Sequence, residues 1–437
     1  MKARKKGRTL RNVRPDPSQT GRPNRPFSLL IKPAGPDCNL QCRYCFYLPK
    51  LQLFGAETGH RMSDEVLEQL VQGYFNTYQP TYMFNWQGGE PTLMGLDFFE
   101  RVIELQRRYA PSDSRVTNTI QTNGTLINSE WAGFIARNRI LTGVSLDGPE
   151  EVHNTYRRDA AGNGTYNNVM AGIEHLRRAG AEFNILSMVT AANAERAKET
   201  FDFFTRNKFN HQQYIPCVEF DAEGTPREYT VSPEGWGRFL VDLFHAWYPR
   251  KVRRISIRNF DNVVNILAAG EYSSCTMRGK CDQYFVVEHN GNVYPCDFFV
   301  EPEWRLGNIM DDGWAHFLGS PLYHRFGAMK SKWNPACSDC PYLHLCSGDC
   351  PKLRFVTDRD PQSLSYLCRG HRYFYDATIA AFTELSKSLQ SNLRKNQPGF
   401  TGEGVPPLKD SLEDPCFCGS GKKLKNCHGP TINTSGE

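Results

Sequence analysis

The spacing of the cysteines constrains what this chain can fold into more than any other feature. The 437 residues contain 15 cysteines, an odd number, and 14 of them fall into three groups of closely spaced residues. A chain of this length can bury a large core without disulfide bridges, so stability alone does not explain the cysteines. In a reducing compartment, closely spaced thiols are more often metal or iron–sulfur ligands than disulfide partners. The cysteines therefore predict several metal centres rather than a disulfide-bonded fold.

Hydropathy and charge disfavour two broad classes of protein. No apolar run approaches the ~18 residues of a membrane span, and the basic N-terminal stretch lacks the apolar segment of a signal peptide. Both observations argue against membrane and secreted proteins and predict a cytoplasmic location. Residues 1–26 contain nine Lys and Arg residues against one acid. This composition is typical of a disordered arm, although a basic arm can also contact nucleic acid or an acidic partner.

Between residue 27 and about residue 232, short β-branched or aromatic runs alternate with amphipathic stretches of roughly 10–16 residues. The predicted strands are 27–32, 82–87, 115–121, 141–146, 182–190 and 212–219. The predicted helices are 63–78, which has Ser63 as its N-cap, 97–109, 129–138, 167–179 and 194–207. This alternation predicts an α/β fold of parallel βαβ units, either a partial barrel or an open doubly wound sheet. In both arrangements, functional residues gather where strands end and loops begin.

The pattern changes after about residue 232. A helix at 233–248 leads to a region of short strands, turns and cysteines at 275–368, and an apolar helix follows at about 373–386. Beyond that helix, a stretch rich in Pro, Gly, Ser and charge predicts a linker before a last cysteine cluster. These changes divide the chain into a basic arm (1–26), an α/β domain (27–250), a cysteine-rich domain (251–386), a linker (387–414) and a tail (415–437).

The first cysteine group is Cys38, Cys42 and Cys45, which follow the first predicted strand at the spacing C-x3-C-x2-C. Three thiolates can ligate three irons of a four-iron cluster and leave the fourth iron open to a bound molecule. A zinc-binding loop is the alternative. The segment, with the aromatic Tyr44 before its last cysteine, resembles the signature of the radical S-adenosylmethionine enzymes, which share a partial (β/α)6 barrel. The resemblance implies a [4Fe-4S] cluster with S-adenosylmethionine bound at its open iron.

Residues at successive strand ends resemble the cofactor contacts of that family. After the second strand, Gly88, Gly89 and Glu90 are similar to the segment whose backbone and carboxylate hold the methionyl ammonium of the cofactor. Each such match alone is weak, because Asn-Gly and Asp-Gly are common turns, but their order along the strands strengthens the assignment. The other cofactor contacts that the resemblance implies are Tyr44, Gln121, Asn123, Ser145 and Arg157.

The second cysteine group supplies eight thiols, enough for two complete four-cysteine sites. Two zinc sites are the alternative, and the spacing permits many groupings. The group resembles the SPASM extension of radical enzymes, which carries two auxiliary [4Fe-4S] clusters, so three clusters are expected in all. Fully ligated clusters have no open iron, and electron transfer is therefore their expected role. By this resemblance, one auxiliary cluster is held by Cys275, Cys281, Cys296 and Cys350, and the other by Cys337, Cys340, Cys346 and Cys368.

Several strings within about residues 28–372 resemble the anaerobic sulfatase-maturating enzymes, which oxidise a Cys or Ser of an unfolded sulfatase segment to formylglycine. The strings are 42–48, 84–93, 145–149, 183–186, 214–219 and the segment around Asp297. The resemblance implies that a 5′-deoxyadenosyl radical removes a Cβ hydrogen, that Asp297 accepts the thiol or hydroxyl proton, and that the first auxiliary cluster accepts the remaining electron. It also implies an electron donor such as flavodoxin or ferredoxin.

Three residues near the expected substrate carry an alternative interpretation. Asp297 also fits an ordinary turn aspartate that bonds its own backbone. Gln87 is expected to line the substrate pocket, and the alternative is a simple strand-end amide. Tyr47 is expected to contact the peptide, and the alternative is packing beside a cluster.

The third cysteine group lies in the tail, where Cys416, Cys418, Cys427 and His428 supply four ligands within 13 residues. So short a segment cannot bury a core, and a tetrahedral Zn²⁺ would supply the missing folding energy. The segment resembles the SEC-C zinc motif found at the end of many unrelated proteins. Protein docking is its expected role, while three nearby lysines leave weak nucleic-acid contact open.

Two other functions compete with sulfatase maturation. A SPASM enzyme that forms thioether or carbon–carbon links in a ribosomal peptide would use the same chemistry. Such enzymes often carry a precursor-recognition domain before the barrel, and residues 1–26 are too short and polar to form one. The alternative from a different class is a non-catalytic zinc protein that binds nucleic acid through its basic arm.

Overall fold

A computed structural model of the protein describes residues 25–55, 59–252, 254–356 and 359–394. Its strands are β1 Ser28–Lys32, β2 Tyr82–Trp86, β3 Val116–Thr122, β4 Leu141–Ser145, β5 Phe183–Val189, β6 His211–Pro216, β7 Ser256–Ile257, β8 Tyr284–Glu288, β9 Asn292–Tyr294 and β10 Gly307–Asn308. Its α-helices as far as β6 are α1 Leu51–Phe54, α2 Asp64–Phe75, α3 Gly95–Tyr109, α4 Ser129–Arg137, α5 Glu150–Tyr156, α6 Tyr166–Arg178 and α7 Ala197–Arg206. The later α-helices are α8 Pro233–Trp247, α9 Arg258–Ala269, α10 Trp314–Gly319, α11 Pro321–Met329, α12 Pro335–Ser338, α13 Leu343–Cys346, α14 Pro351–Arg354 and α15 Cys368–Arg394.

The described residues form two compact units, each assembled from segments that are distant in sequence. The first unit holds the described residues up to Leu146, together with Glu150–Ile185 and Gly279–Lys332. The second holds Asp147–Pro149, Leu186–Arg278 and the described residues from Trp333 onward. None of the helices within the described part of the chain is long and apolar enough to cross a membrane.

The sheet of the first unit has the strand order β10-β9-β8-β1-β2-β3-β4. Strands β8, β1, β2, β3 and β4 pair in parallel, whereas β9 and β10 continue the edge in antiparallel pairs. Parallel strands joined by helices confirm the predicted α/β architecture. Each of the first four strands lies within one residue of its predicted bounds.

Strand β8 is the main addition to the predicted sheet. Its residues Phe285 to Glu288 are completely buried, and the strand pairs in parallel with β1, which lies more than 250 residues earlier in the chain. The sequence pattern there predicts only a short strand among turns, because nothing local indicates the partner. Because β8 pairs with β1, the segment with Cys296 and Asp297 and the first cysteine loop both follow strands of the same sheet.

Helix α2 shows how the local sequence fixes the elements around this sheet. As predicted, Ser63 is its N-cap, and the Ser63 side chain accepts a hydrogen bond from the Val66 amide. Asp64 and Glu65 occupy the first turn, where acidic side chains are favoured. The buried face of the helix includes Tyr74, whose hydroxyl donates to the Phe27 carbonyl oxygen at 2.7 Å.

In the second unit, the long helix α15 packs along α8 and α9. A Cβ atom on Gly370 would lie 2.1 Å from the Pro233 carbonyl oxygen, so glycine permits the close approach of α15 and α8. Helix α15 begins five residues earlier than predicted and continues through 387–394, which the sequence analysis assigns to the linker. The apolar spacing of Leu385, Leu389 and Leu393 is consistent with this extension. The predicted zinc ligands, most of the linker and the basic arm up to residue 24 lie outside the described residues.

Candidate active site and cluster sites

The loop with Cys38, Cys42 and Cys45 follows β1 at the carboxyl edge of the parallel sheet of the first unit. Backbone hydrogen bonds hold it against the end of α5 and the chain that follows, from Arg43 N to Tyr156 O at 3.1 Å and from Gln41 N to Arg158 O at 2.8 Å. Its three thiols are partly exposed. The carboxyl edge of a parallel sheet is where active sites of α/β folds lie, as predicted.

The surroundings of Cys38 suit a metal-binding thiolate. The Leu40 amide at 3.4 Å and the Asn123 side-chain amide at 3.7 Å donate to its sulfur. Burial raises the pKa of Cys38 to about 12, and the nearby Glu90 carboxylate adds to the shift. The thiol therefore stays protonated until a cation binds, and binding releases the proton. Within the described ranges, no group of three or more His, Cys, Asp or Glu side chains is arranged to hold a metal ion.

The Gly-Gly-Glu segment after β2 interlocks with the backbone that leads to Cys38. The Gly89 amide donates to the Gly35 carbonyl oxygen and the Glu90 amide to the Asp37 carbonyl oxygen, each at 2.8 Å. A Cβ atom on Gly89 would lie 1.9 Å from the Asp37 oxygen, and Gly88 has a φ of +146°. Both positions therefore need glycine, which permits the close backbone approach that a cofactor contact requires.

Replacement of Gly89 by Ala is expected to lower the free energy of unfolding by ~1–3 kcal/mol, because the backbone of one of the two loops must move. Thermal unfolding followed by circular dichroism and the iron content of purified protein would measure the effect. Gly319→Ala is the matched control, since a Cβ atom at Gly319 meets nothing within 4 Å. Equal unfolding midpoints for the two variants would contradict the expectation.

The Glu90 side chain is completely buried and joins the ends of β2 and β3. Its Oε1 accepts hydrogen bonds from the Thr92 amide and hydroxyl and from the Thr122 hydroxyl, and its Oε2 accepts one from the Asn123 amide. Burial raises the pKa of Glu90, while these four donors oppose the shift. Oε2 can accept a second hydrogen bond, so the carboxylate can bind a cofactor ammonium while it keeps the four hydrogen bonds that join β2 and β3.

The other predicted cofactor contacts lie in the same unit. The Gln121 side-chain amide donates to the Ser145 hydroxyl at 3.2 Å, which links the ends of β3 and β4. The Arg157 guanidinium lies 5.4 Å from the centre of the Tyr44 ring, and both side chains are buried. A planar cation over an aromatic ring beside the cysteine loop can hold a carboxylate.

The predicted base and substrate residues also belong to the first unit. Asp297 Oδ1 accepts a hydrogen bond from the Tyr284 hydroxyl at 3.3 Å, and Cys296 Sγ is 3.7 Å from the same oxygen. Gln87 is partly buried, and its backbone N–H donates to the Ile31 carbonyl oxygen at 2.9 Å. Tyr47 is buried, and its hydroxyl donates to Glu288. Burial and the Glu288 charge raise the pKa of Tyr47 well above its ordinary value, so Tyr47 stays protonated.

Two charged residues beside the predicted base and Tyr47 are not indicated by the sequence pattern, Lys32 and Glu288. Lys32 Nζ lies 3.9 Å from Asp297 Oδ2, and both Lys32 and Glu288 are buried. The available signal was a single charge at the end of an apolar run, in the strings SLLIK and YFVVE. A charge at a strand end is ordinarily solvated, and only the pairing of β1 with β8 brings these two together.

The eight cysteines of the second group are divided between the units. Cys281 and Cys296 belong to the first unit, and Cys275 and Cys350 to the second. The remaining four, Cys337, Cys340, Cys346 and Cys368, all belong to the second unit and line one cavity, together with Tyr342 and Tyr375. Burial raises the pKa of Cys337 and Cys368, and neighbouring thiols add to both shifts. Four thiols around one largely apolar cavity fit a fully ligated cluster.

Models of three known families match parts of the chain. The Radical SAM superfamily matches residues 33–204, the iron–sulfur cluster-binding SPASM domain matches residues 275–341, and the SEC-C motif matches residues 414–430. The first match covers the loop with Cys38, Cys42 and Cys45 and all the predicted cofactor contacts.

Curated relatives resemble the chain over most of its length. The Cysteine-type anaerobic sulfatase-maturating enzyme of Clostridium perfringens is 37% identical over 369 residues, which are 84% of this chain and 100% of the relative. The Serine-type anaerobic sulfatase-maturating enzyme of Bacteroides thetaiotaomicron is 37% identical over 386 residues, which are 84% of this chain and 93% of the relative.

Solved structures resemble the chain as well. Native anSMEcpe with bound AdoMet has a TM-score of 0.79 and 37% identity, and the match covers 83% of this chain and 100% of that one. Streptococcus suis SuiB bound to S-adenosylmethionine has a TM-score of 0.58 and 18% identity over 79% of this chain and 77% of that one, a likeness that shows the fold alone. The fold is thus an α/β partial barrel of the radical S-adenosylmethionine type.

Proposed function

Because the chain belongs to the anaerobic sulfatase-maturating enzymes, we propose that it oxidises a Cys or Ser side chain of an unfolded sulfatase polypeptide to formylglycine. The observation that carries the proposal is the position of Asp297. Its carboxylate follows a predicted cluster cysteine, and its Oδ2 lies 3.9 Å from Nζ of Lys32, the last residue of the strand that leads into the C-x3-C-x2-C loop. A proton acceptor is needed at this place, because oxidation of a thiol or hydroxyl to a carbonyl releases a proton.

Two cofactor types belong to the family, an iron–sulfur cluster and S-adenosylmethionine, and we assign their ligands in this chain. Cys38, Cys42 and Cys45 would hold the cluster. The residues that would hold S-adenosylmethionine are Tyr44, Gly88, Gly89, Glu90, Gln121, Asn123, Ser145 and Arg157. When bound, the two groups supply a 5′-deoxyadenosyl radical, which removes a hydrogen from an unactivated carbon.

The chain's own residues then have separate tasks. Asp297 accepts the proton of the substrate thiol or hydroxyl. Gln87 and Tyr47 line the substrate position, and the high pKa of Tyr47 keeps it a hydrogen-bond donor. The buried strands beneath the site exclude water, which protects a reactive intermediate.

The remaining metal sites extend the proposal. We assign the two auxiliary clusters to Cys275, Cys281, Cys296 and Cys350 and to Cys337, Cys340, Cys346 and Cys368, and the shared cavity of the second set supports its grouping. We assign Zn²⁺ to Cys416, Cys418, Cys427 and His428, on the strength of the SEC-C match. Three further points stay predictions. They are an electron donor such as flavodoxin or ferredoxin, protein docking through the tail and a cytoplasmic location.

The proposal predicts conversion of sulfatase peptides. Protein purified without oxygen would be incubated with S-adenosylmethionine, a reductant and a peptide that carries Cys or Ser before Pro-x-Arg. We expect loss of two hydrogens from the Ser peptide or replacement of the thiol of the Cys peptide by an aldehyde, detected by mass spectrometry. A peptide with Ala at that position is the control. Formation of 5′-deoxyadenosine without product from either peptide, together with modification of a different peptide class, would refute the proposal.

A further inference from the structure

Lys32 and Glu288 are buried charges at the ends of neighbouring strands. Strands β1 and β8 pair in parallel, and Lys32 and Glu288 are register partners at the carboxyl end of that pair. Lys32 is 1% exposed and Glu288 is 0% exposed. Burial of a charge is unfavourable unless a partner compensates it, so the burial of two charges beside the cysteine loop indicates a role beyond stability.

The surroundings of Lys32 connect it to two of the three residues predicted near the substrate, Tyr47 and Asp297. Its ammonium lies 4.3 Å from the centre of the Tyr47 ring and 3.9 Å from Asp297 Oδ2. The Tyr47 hydroxyl donates to Glu288, which makes the ring more electron-rich and strengthens its attraction for a cation. The ammonium thus interacts with an aromatic face and with a carboxylate, and Glu288 holds the aromatic ring.

The distance from Lys32 to Asp297 differs from that of a hydrogen bond. At 3.9 Å, the ammonium attracts the carboxylate without occupying an acceptor position of Oδ2. The other oxygen, Oδ1, accepts from the Tyr284 hydroxyl at 3.3 Å. The carboxylate is therefore oriented from two sides while Oδ2 keeps its capacity to accept a proton.

We propose that Lys32 is a positioning residue for the oxidation, because its ammonium fixes both the Tyr47 ring and the Asp297 carboxylate. The carboxylate is thereby held in the orientation in which it receives the substrate proton. Lys32 itself neither gains nor loses a proton, since the proton moves from the substrate thiol or hydroxyl to Asp297. This inference rests on the proposed function, in which Asp297 is the base.

The test compares two products in Lys32 variants. Lys32→Met removes the charge, and Lys32→Arg keeps it. We expect Lys32→Met to form 5′-deoxyadenosine within about 2-fold of the wild-type rate but formylglycine ~10–100-fold more slowly, with little change in the peptide KM. Lys32→Arg should restore part of the ratio of formylglycine to 5′-deoxyadenosine. A merely structural role would lower both products together.

Lys50→Met is the matched control. Lys50 Nζ lies 3.8 Å from Glu301 Oε1, so this ion pair has nearly the same length as the Lys32–Asp297 pair. It joins the segment three residues beyond Tyr47 to the segment four residues beyond Asp297. We expect its product ratio to equal that of the wild type. Iron content and circular dichroism would be measured for every variant.

Three outcomes would overturn the inference. They are an unchanged product ratio in Lys32→Met, a proportional loss of both products with intact iron content, and failure of Lys32→Met, Lys32→Gln and Lys32→Arg alike to fold and load iron. Should only Lys32→Met fail to fold, the product ratio of Lys32→Gln decides by the same criterion. A wild-type protein that converts no sulfatase peptide would instead refute the proposed function, so the two failures are distinguishable.

Discussion

Replacement of Asp297 by Asn is expected to slow formylglycine formation about 100-fold or more, while cleavage of S-adenosylmethionine continues. The amide has the shape of the carboxylate, so the hydrogen bond from Tyr284 can persist, but it cannot accept the substrate proton. Radical formation depends on residues of the cysteine loop and the strand ends, none of which the substitution removes. The two products should therefore become uncoupled.

The measurement quantifies formylglycine by mass spectrometry and 5′-deoxyadenosine by chromatography in the same reaction. Asp311→Asn is the control, because Asp311 is an exposed aspartate of the same unit. Turnover of Asp297→Asn at the wild-type rate would show that Asp297 is an ordinary turn aspartate. Loss of both products, with iron retained, would assign it a role in cofactor binding instead.

Replacement of Cys42 by Ala is expected to eliminate 5′-deoxyadenosine formation altogether. The loop supplies three thiolates, and removal of one leaves two ligands for a cluster that must also bind the cofactor. Because the second cysteine group is untouched, the iron content should fall by only about a third if the chain holds three four-iron clusters. The experiment therefore tests both the radical site and the number of clusters.

Cys217→Ala is the matched control for that experiment. Cys217 is a buried cysteine outside the three groups, and its replacement by Ala removes only a small side chain. We expect wild-type iron content and wild-type 5′-deoxyadenosine formation from it. Formation of 5′-deoxyadenosine by Cys42→Ala at more than background level would contradict the assignment of the C-x3-C-x2-C loop.

The local sequence predicts the bounds of the first four strands and the start of helix α2, because short-range interactions determine them. The period of apolar residues indicates β1 to β4 within one residue, and the Ser63 cap marks the start of α2. The partner of β8 is not a local property, since it follows from the packing of a buried strand against β1. The structure therefore adds β8 to the sheet, and its pairing with β1 brings Glu288 beside the end of β1.

The candidate site likewise contains residues that the local sequence indicates and residues that only the pairing of distant strands reveals. Cysteine spacing predicts the iron ligands, because each thiolate can bind one iron and the short loops limit the separation of the thiols. Lys32 and Glu288 escape detection because a charge at a strand end is usually solvated, and their burial depends on the β1–β8 register. The sequence indicates that Glu90 belongs to the site but not that four hydrogen bonds engage its carboxylate.

The pairing of β1 with β8 also determines which changes in chain length the site tolerates. Successive side chains of a strand point to opposite faces, so a one-residue insertion within β8 would turn Glu288 away from Tyr47 and alter the direction of the segment that leads to Asp297. A two-residue insertion would restore the face but displace Asp297 along the sheet by about 7 Å. Homologous chains that keep this chemistry should therefore differ in length within the surface loops rather than between residues 284 and 297.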